Sequence, residues 1–402
     1  MMKYIERNKY IEKIRPYIGK DIIKVLTGQR RVGKSYIMLQ LCDEIKAIDK
    51  KANLIVINCE LEEFRFLKTS ADLYEYVNSK LSAGVNNYLL IDEVQEVDDF
   101  QNAMRSLLAE RKCDIYCTGS NANILSSELA TYLSGRHMEF YIHSLSYREF
   151  LQFHKLDISQ DSLVKYLTFG GMPFLVNLEL SQTQVYEYLS NVQSTIILKD
   201  VVAKENIRNV PFLENLVEYV ADNIGSLFSA SNISKYLKSQ QINISTQVVI
   251  NYLKALTNAY IIHKVVRADV VGLKIFEVGE KYYFEDLGLR NTIRGFNMAG
   301  DIHKLMENAV YLHLSQSGYS VFVGKMGDKE IDFMADRDGK RIYVQVTLSA
   351  LDEKTRDREF GNLMEIEDNY PKYVVALNDV IIGNDYKGIE YMNLADFLSK
   401  EI

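Results

Sequence analysis

Tryptophan is missing from this 402-residue chain while tyrosine reaches 27, a bias that converts into no function. The lack of any run of about 18 apolar residues counts against a membrane-spanning helix. Met1 to Lys13 is charged where a signal peptide would carry an apolar stretch, so the expected location is cytoplasmic. Cysteine is scarce: Cys42, Cys59, Cys113 and Cys117 lie beside or within apolar segments and form neither a CxxC nor a Cys/His ligand spacing. They are expected to be buried thiols. A formal net charge of -7 argues against a surface coated overall for nucleic acid and leaves room for a local basic face. What remains, 47% apolar and 25% charged residues, is ordinary globular composition, and the length favours two or three domains.

Against that background one segment stands out. Gly28-Gln29-Arg30-Arg31-Val32-Gly33-Lys34-Ser35 follows the apolar run Ile22 to Leu26 and precedes a helix-like stretch that opens with Tyr36. This is a phosphate-binding loop between strand and helix. Its glycines allow backbone N–H groups to curl around phosphates, Lys34 reaches the β and γ oxygens, and the Ser35 hydroxyl completes a Mg²⁺ shell. ATP and Mg are the expected cofactors, with residues 28–36 and Ser120 lining the site.

Downstream, Asn53 to Asn58 reads as a short buried strand, and Tyr88-Leu89-Leu90-Ile91-Asp92-Glu93 as an apolar strand ending in two acids. At the carboxyl end of a parallel strand beside the loop, Asp92 is placed to hold Mg²⁺ with Ser35. Glu93 is placed to orient or deprotonate the attacking water. A third strand, Asp114 to Cys117, ends at Thr118-Gly119-Ser120-Asn121, where Ser120 or Asn121 is a candidate γ-phosphate sensor. Ser120 also suits an N-cap for a helix over Ala122 to Leu129. Arg136 is a candidate for neutralising charge during transfer, in cis or from a neighbouring subunit, in competition with Arg105 and Arg111.

The order of phosphate loop, Leu90-Ile91-Asp92-Glu93-Val94-Gln95, Thr118-Gly119-Ser120, Gly135-Arg136 and Leu145 to Phe150 resembles the AAA-type P-loop ATPases of bacteria and archaea that carry a C-terminal domain of unknown function of the DUF4143 kind. The likeness continues in Phe169-Gly170-Gly171-Met172-Pro173, in Tyr282 to Arg290 and in Glu330-Ile331-Asp332-Phe333. It implies an α/β nucleotide-binding fold with a helical lid. The domains expected are a P-loop ATPase domain over 1–150, a helical lid and connector over 151–205, a winged-helix domain over 206–280 and a C-terminal α/β domain over 281–402.

The winged helix is also legible from pattern: candidate helices at Phe212 to Ile224, Ser231 to Leu237 and Ser245 to Leu256, then strand-like Ile261 to Val266. Val248, Leu253 and Leu256 would pack inward. Thr246, Gln247, Asn251 and Lys254 would face outward, thin equipment for reading DNA. Lys235, Lys238, Lys264 and Arg267 could add phosphate contacts, and a protein-contact role stands equally open. The C-terminal region, by the same resemblance, is a restriction-endonuclease-like fold whose acids on helix and second strand are Glu307 and Asp332. Its third strand has Gln345 and Thr347 where an acid and a lysine are needed, so nuclease activity is not expected. Asp338-Gly339 reads as a hairpin turn. Three functions follow as expectations: ATP hydrolysis coupled to rearrangement of the downstream domains, nucleotide-controlled DNA binding or a defence-related role without cleavage, or an ATP-gated protein scaffold, with a protein partner or homo-oligomer possible and no membrane.

Overall fold

A computed structural model describes residues 4–122, 135–270, 272, 275–349, 360–377 and 385–402, and structural statements refer to these. They form two compact units: residues 1–143 with 258–260, and residues 144–257 with 261–402. The helix expected over Ala122 to Leu129 lies outside the described residues.

The first unit is a five-stranded parallel sheet in the order β2-β3-β4-β1-β5. Its strands are β1 (Ile23–Thr27), β2 (Asn53–Asn58), β3 (Asn87–Asp92), β4 (Asp114–Thr118) and β5 (His137–Tyr141). Every residue of β1 is buried, as expected of an inner parallel strand covered on both faces. Even Lys24 lies within, its ammonium on the Asp114 carboxylate and 5.1 Å from the Tyr116 ring centroid. Helices α1 (Asn8–Ile14), α2 (Lys34–Ile48), α3 (Ser70–Lys80) and α4 (Phe100–Ala109) flank the sheet. Helix α2 turns Ile37, Leu41 and Ile45 inward at helical spacing. The register pairs Leu26 with Thr118 and Ile91 with Cys117, so the carboxyl ends of β1, β3 and β4 form one edge. That is where open parallel sheets bind ligands. Asn258–Tyr260 belong to this unit: Ala122 N donates to Asn258 O at 2.9 Å, and the Tyr260 ring lies 5.0 Å from that of Tyr141.

The second unit opens with helices α5 (Tyr147–His154), α6 (Gln160–Phe169) and α7 (Gln182–Thr195), the last running into a π-helix over Ile196–Ala203. Helices α8 (Val210–Asp222), α9 (Ala230–Ser239) and α10 (Thr246–Asn258) follow, then the antiparallel pair β6 (Ile262–Asp269) and β7 (Ile275–Phe284). In α10, Val249, Leu253 and Leu256 are buried while Val248 is half-buried, one position off the expected inward set. The hairpin is not a separate ribbon. Strand β6 pairs in parallel with β8 (Ser320–Met326), so both strands extend a sheet of order β12-β13-β11-β10-β9-β8-β6-β7, in which β11 is Lys372–Ala376, β12 Asp385–Tyr386 and β13 Ile389–Asn393. The expected boundary at 280 therefore falls inside β7, and that at 150 inside α5. Helix α11 (Leu287–Arg294) and the long α12 (Met298–Gln316) precede β8. Strands β9 (Lys329–Arg337) and β10 (Lys340–Thr347) meet at a two-residue turn with positive φ at Asp338 and Gly339, the hairpin geometry that Asp-Gly favours.

The two family-like segments 169–173 and 282–290 meet in one knot. Asp286 caps α11 and accepts from Gly171 N at 2.7 Å, and a Cβ on Gly288 would lie 2.0 Å from Phe169 O. Arg290, fully buried, donates to Ala221 O at 2.8 Å and to Asp301 at 3.1 Å.

Candidate functional site

The phosphate loop leaves β1 through Gly28, at φ +136°, where a Cβ would lie 2.2 Å from Ile142 O. It enters α2 through Gly33 at φ +99°. Both positions require glycine. From the first turn of α2, Lys34 turns back into the loop and donates to Gly28 O at 2.9 Å and Gln29 O at 3.0 Å. Its ammonium lies 3.9 Å from Glu93 Oε1. Val32 is buried and its carbonyl accepts from Arg7 Nη1 at 2.9 Å, the same nitrogen donating to His143 O at 3.0 Å. Arg7 thus clamps the loop from a segment that no motif marks.

Asp92 and Glu93 are both buried at the end of β3. Thr118, from the end of β4, joins them: its hydroxyl donates to Asp92 Oδ1 at 2.5 Å and accepts from Glu93 N at 2.9 Å. Glu93 has φ +53°, a left-handed conformation uncommon outside glycine. Its carboxylate accepts from Gln95 Nε2 at 2.5 Å. Burial raises the Asp92 carboxyl above the ordinary range, against hydrogen bonds from Ser35 and Thr118. A hydroxyl and a carboxylate already in contact are the hard oxygen donors that suit Mg²⁺.

Ser120 and Asn121 are buried one and two residues beyond Gly119, at the same edge. Arg30 is half-buried and pairs with Glu60 at 3.1 Å, whereas Arg31, Ser35 and Tyr36 are exposed. Arg136 lies away from this edge. It is exposed, and its carbonyl accepts from Ile23 N at 3.0 Å, at the amino end of β1. In parallel strands that end lies about 15 Å of backbone from the phosphate loop, too far for a side chain to serve this site in cis. Arg105 and Arg111 are exposed too, the latter paired with Asp21 at 3.1 Å. The cysteines are unpaired; Cys117 is buried and the other three half-buried. Burial pushes Cys42 to about 11 and Cys59, Cys113 and Cys117 to about 12, which leaves them poor nucleophiles.

In the second unit, Glu307 on α12 and Asp332 on β9 come together around a residue the sequence reading missed. Lys281 of β7, itself buried, lies 2.8 Å from Glu307, 3.0 Å from Glu330 and 3.9 Å from Asp332. Burial opposes its charge, but the carboxylates outweigh that and hold the ammonium above its ordinary value. Tyr283 donates to Glu307 at 2.5 Å, and Asp332 accepts from Val346 N at 2.8 Å. Gln345 accepts from Asp332 N at 3.3 Å, while the Thr347 hydroxyl donates to Ser349 O at 3.2 Å. No described helix is long and apolar enough to cross a membrane.

Residues 20–151 match the AAA domain family, and residues 160–299 match a domain of unknown function, DUF8612, in place of the expected DUF4143. An uncharacterised protein of Haemophilus influenzae is 34% identical over 98% of both chains. One of Methanocaldococcus jannaschii is 29% identical over 88% of this chain and 82% of its own. Among solved structures, the Aeropyrum pernix ORC1 protein in complex with DNA is similar with TM-score 0.33 and 11% identity, covering 72% of this chain and 92% of that one. AMPPCP-bound DnaA from Aquifex aeolicus is similar with TM-score 0.30 and 12% identity, covering 63% and 89%. The match along nearly the whole of both chains means that this chain belongs to one family with the Haemophilus protein, with an AAA domain around its phosphate loop.

Proposed function

We propose that the protein hydrolyses ATP to ADP and phosphate with Mg²⁺ and uses nucleotide state to rearrange its downstream region, read as a winged helix and a restriction-endonuclease-like domain. The observation that carries the reading is the meeting of Lys34, Asp92 and Glu93 at one sheet edge, with Thr118 tying the two acids together. In this reading the loop N–H groups and Lys34 bind the phosphates, and Ser35 and Asp92 hold the metal. When bound, Mg²⁺ draws charge from the β and γ oxygens. Glu93 orients the attacking water and takes its proton, and Ser120 or Asn121 senses the γ-phosphate. With Arg136 at the far edge, the arginine contact comes from a second copy or a partner. Full-length protein is expected to release phosphate from Mg·ATP. Lys34→Ala should lose most ATP affinity while folded, and Glu93→Gln should bind ATP normally but turn over at least 100-fold more slowly. Wild-type turnover in Glu93→Gln would move the base elsewhere; no turnover in wild type, with partners supplied, would sink the reading.

Nucleotide-controlled DNA binding is the second reading, favoured by the outward exposure of Gln247, Asn251 and Lys254 on α10 and of Lys235 and Lys238 on α9. It requires ATP-dependent binding of duplex or single-stranded DNA that weakens with salt. Cleavage is not expected, because Lys281 is held by three carboxylates and Gln345 and Thr347 supply neither acid nor lysine. Incubation with DNA and RNA in Mg²⁺ or Mn²⁺ should leave them intact. Cleavage that disappears in Asp332→Ala would overturn this.

A further inference from the structure

Strand β2 ends the first sheet and, among the described residues, pairs only with β3. Asn53 N donates to Asn86 O at 2.9 Å and Cys59 N to Asp92 O at 3.1 Å. Main-chain groups alternate in direction along a strand, so those of Leu54, Val56 and Asn58 face the open side. Exposed edges are ordinarily guarded by a proline, a bulge or a lysine within the strand. Asn53–Asn58 has none of these. Ile55 and Ile57 are spent on the core, while Val56 is 47% exposed and Leu54 half-buried.

The charges stand at the two ends instead. Lys50 and Lys51 precede the strand, and Glu60, Glu62 and Glu63 follow it, all exposed. Glu60 and Glu62 lie 3.1 Å from Arg30 and Arg65, exposed contacts weak enough to share. Asp49, at the lysine end, is occupied by Lys51 N at 3.0 Å and Asn86 Nδ2 at 2.9 Å. Such a strand is complementary to itself when reversed. We propose that β2 is where a second copy of this chain pairs, antiparallel and about a two-fold axis at Val56. Val56 then lies opposite Val56 and Leu54 opposite Asn58, each pair exchanging main-chain hydrogen bonds. The lysines of each copy fall beside the acids of the other, whereas parallel pairing would set like charges together. Both copies use up the same edge, so the assembly closes at two. The pairing needs no nucleotide, and it stands or falls apart from the ATP reading above.

The test is sedimentation velocity of nucleotide-free full-length protein from about 1 to 200 µM, the range suited to so small an interface. Wild type should pass from monomer to dimer across it. Val56→Pro removes an outward N–H and leaves the bonds to β3 in place, a change that edge strands tolerate; dissociation should become at least about tenfold easier. Two charge variants carry the test if the proline variant does not fold. Lys50→Glu with Lys51→Glu, and Glu62→Lys with Glu63→Lys, should each be monomeric where wild type is dimeric. Mixed together they should form a dimer of one copy of each, since both ends then match. A wild type that stays monomeric overturns the proposal, as does a dimer indifferent to these changes or a mixture that fails to recombine.

Discussion

Thr118 carries the Asp92–Glu93 pair, because one hydroxyl both donates to the first carboxylate and accepts from the second residue's N–H. Thr118→Val keeps the shape and removes both bonds. It leaves a buried N–H and a carboxylate oxygen short of a partner, at a cost of about 1–3 kcal/mol. In the proposed mechanism it should lower kcat at least tenfold with a smaller change in ATP affinity, measured by steady-state phosphate release beside analogue binding. Equal losses in both would make Thr118 merely structural. Residues such as this one were not legible in the sequence. Gly33, Lys34 and Ser35 announce themselves by spacing within eight residues, whereas Thr118, Arg7 and Lys281 matter through partners that the chain reaches only after folding. Arg7 touches Val32 and His143, and Lys281 touches Glu307 and Glu330.

At the scale of elements, strand direction decided what the sequence could tell. Apolar runs ending in Asp92-Glu93 and Thr118-Gly119-Ser120 could be placed correctly because parallel pairing brings their carboxyl ends to the loop. Arg136 looked equally near in sequence, yet it precedes β5 and so sits at the amino edge. The segments 169–173 and 282–290, where the family likeness continues, form a packing knot around Asp286. Burial pushes the Asp286 carboxyl from 3.8 up to about 6, against hydrogen bonds from Leu289 N and Gly171 N. A raised acid holds its proton more tightly in the folded chain, so this group's contribution is full below about pH 4 and is lost as pH rises towards 6. Relative to Asp286→Asn, wild type should therefore lose up to about 3 kcal/mol between pH 4 and pH 6, as measured by denaturant unfolding. A pH-independent difference would mean that the backbone donors balance burial.

On the scale of the whole molecule, the chain passes between its two units three times, after residues 143, 257 and 260. The returning tripeptide is not idle: Asn258 O takes the Ala122 N–H, and the buried Tyr260 packs on Tyr141. A fragment of residues 1–143 therefore leaves Ala122 N and the Tyr141 ring without these partners. It should melt several degrees below the same unit in the intact chain, read by its own aromatic signal during heating. A fragment that melts with the full-length protein and binds analogue as well would make the tripeptide dispensable. The same path constrains inheritance. Because no single cut in the gene yields both units whole, recombination at one point cannot trade the phosphate-binding half for that of another protein; the two halves must pass down lineages together or acquire their replacements in separate pieces.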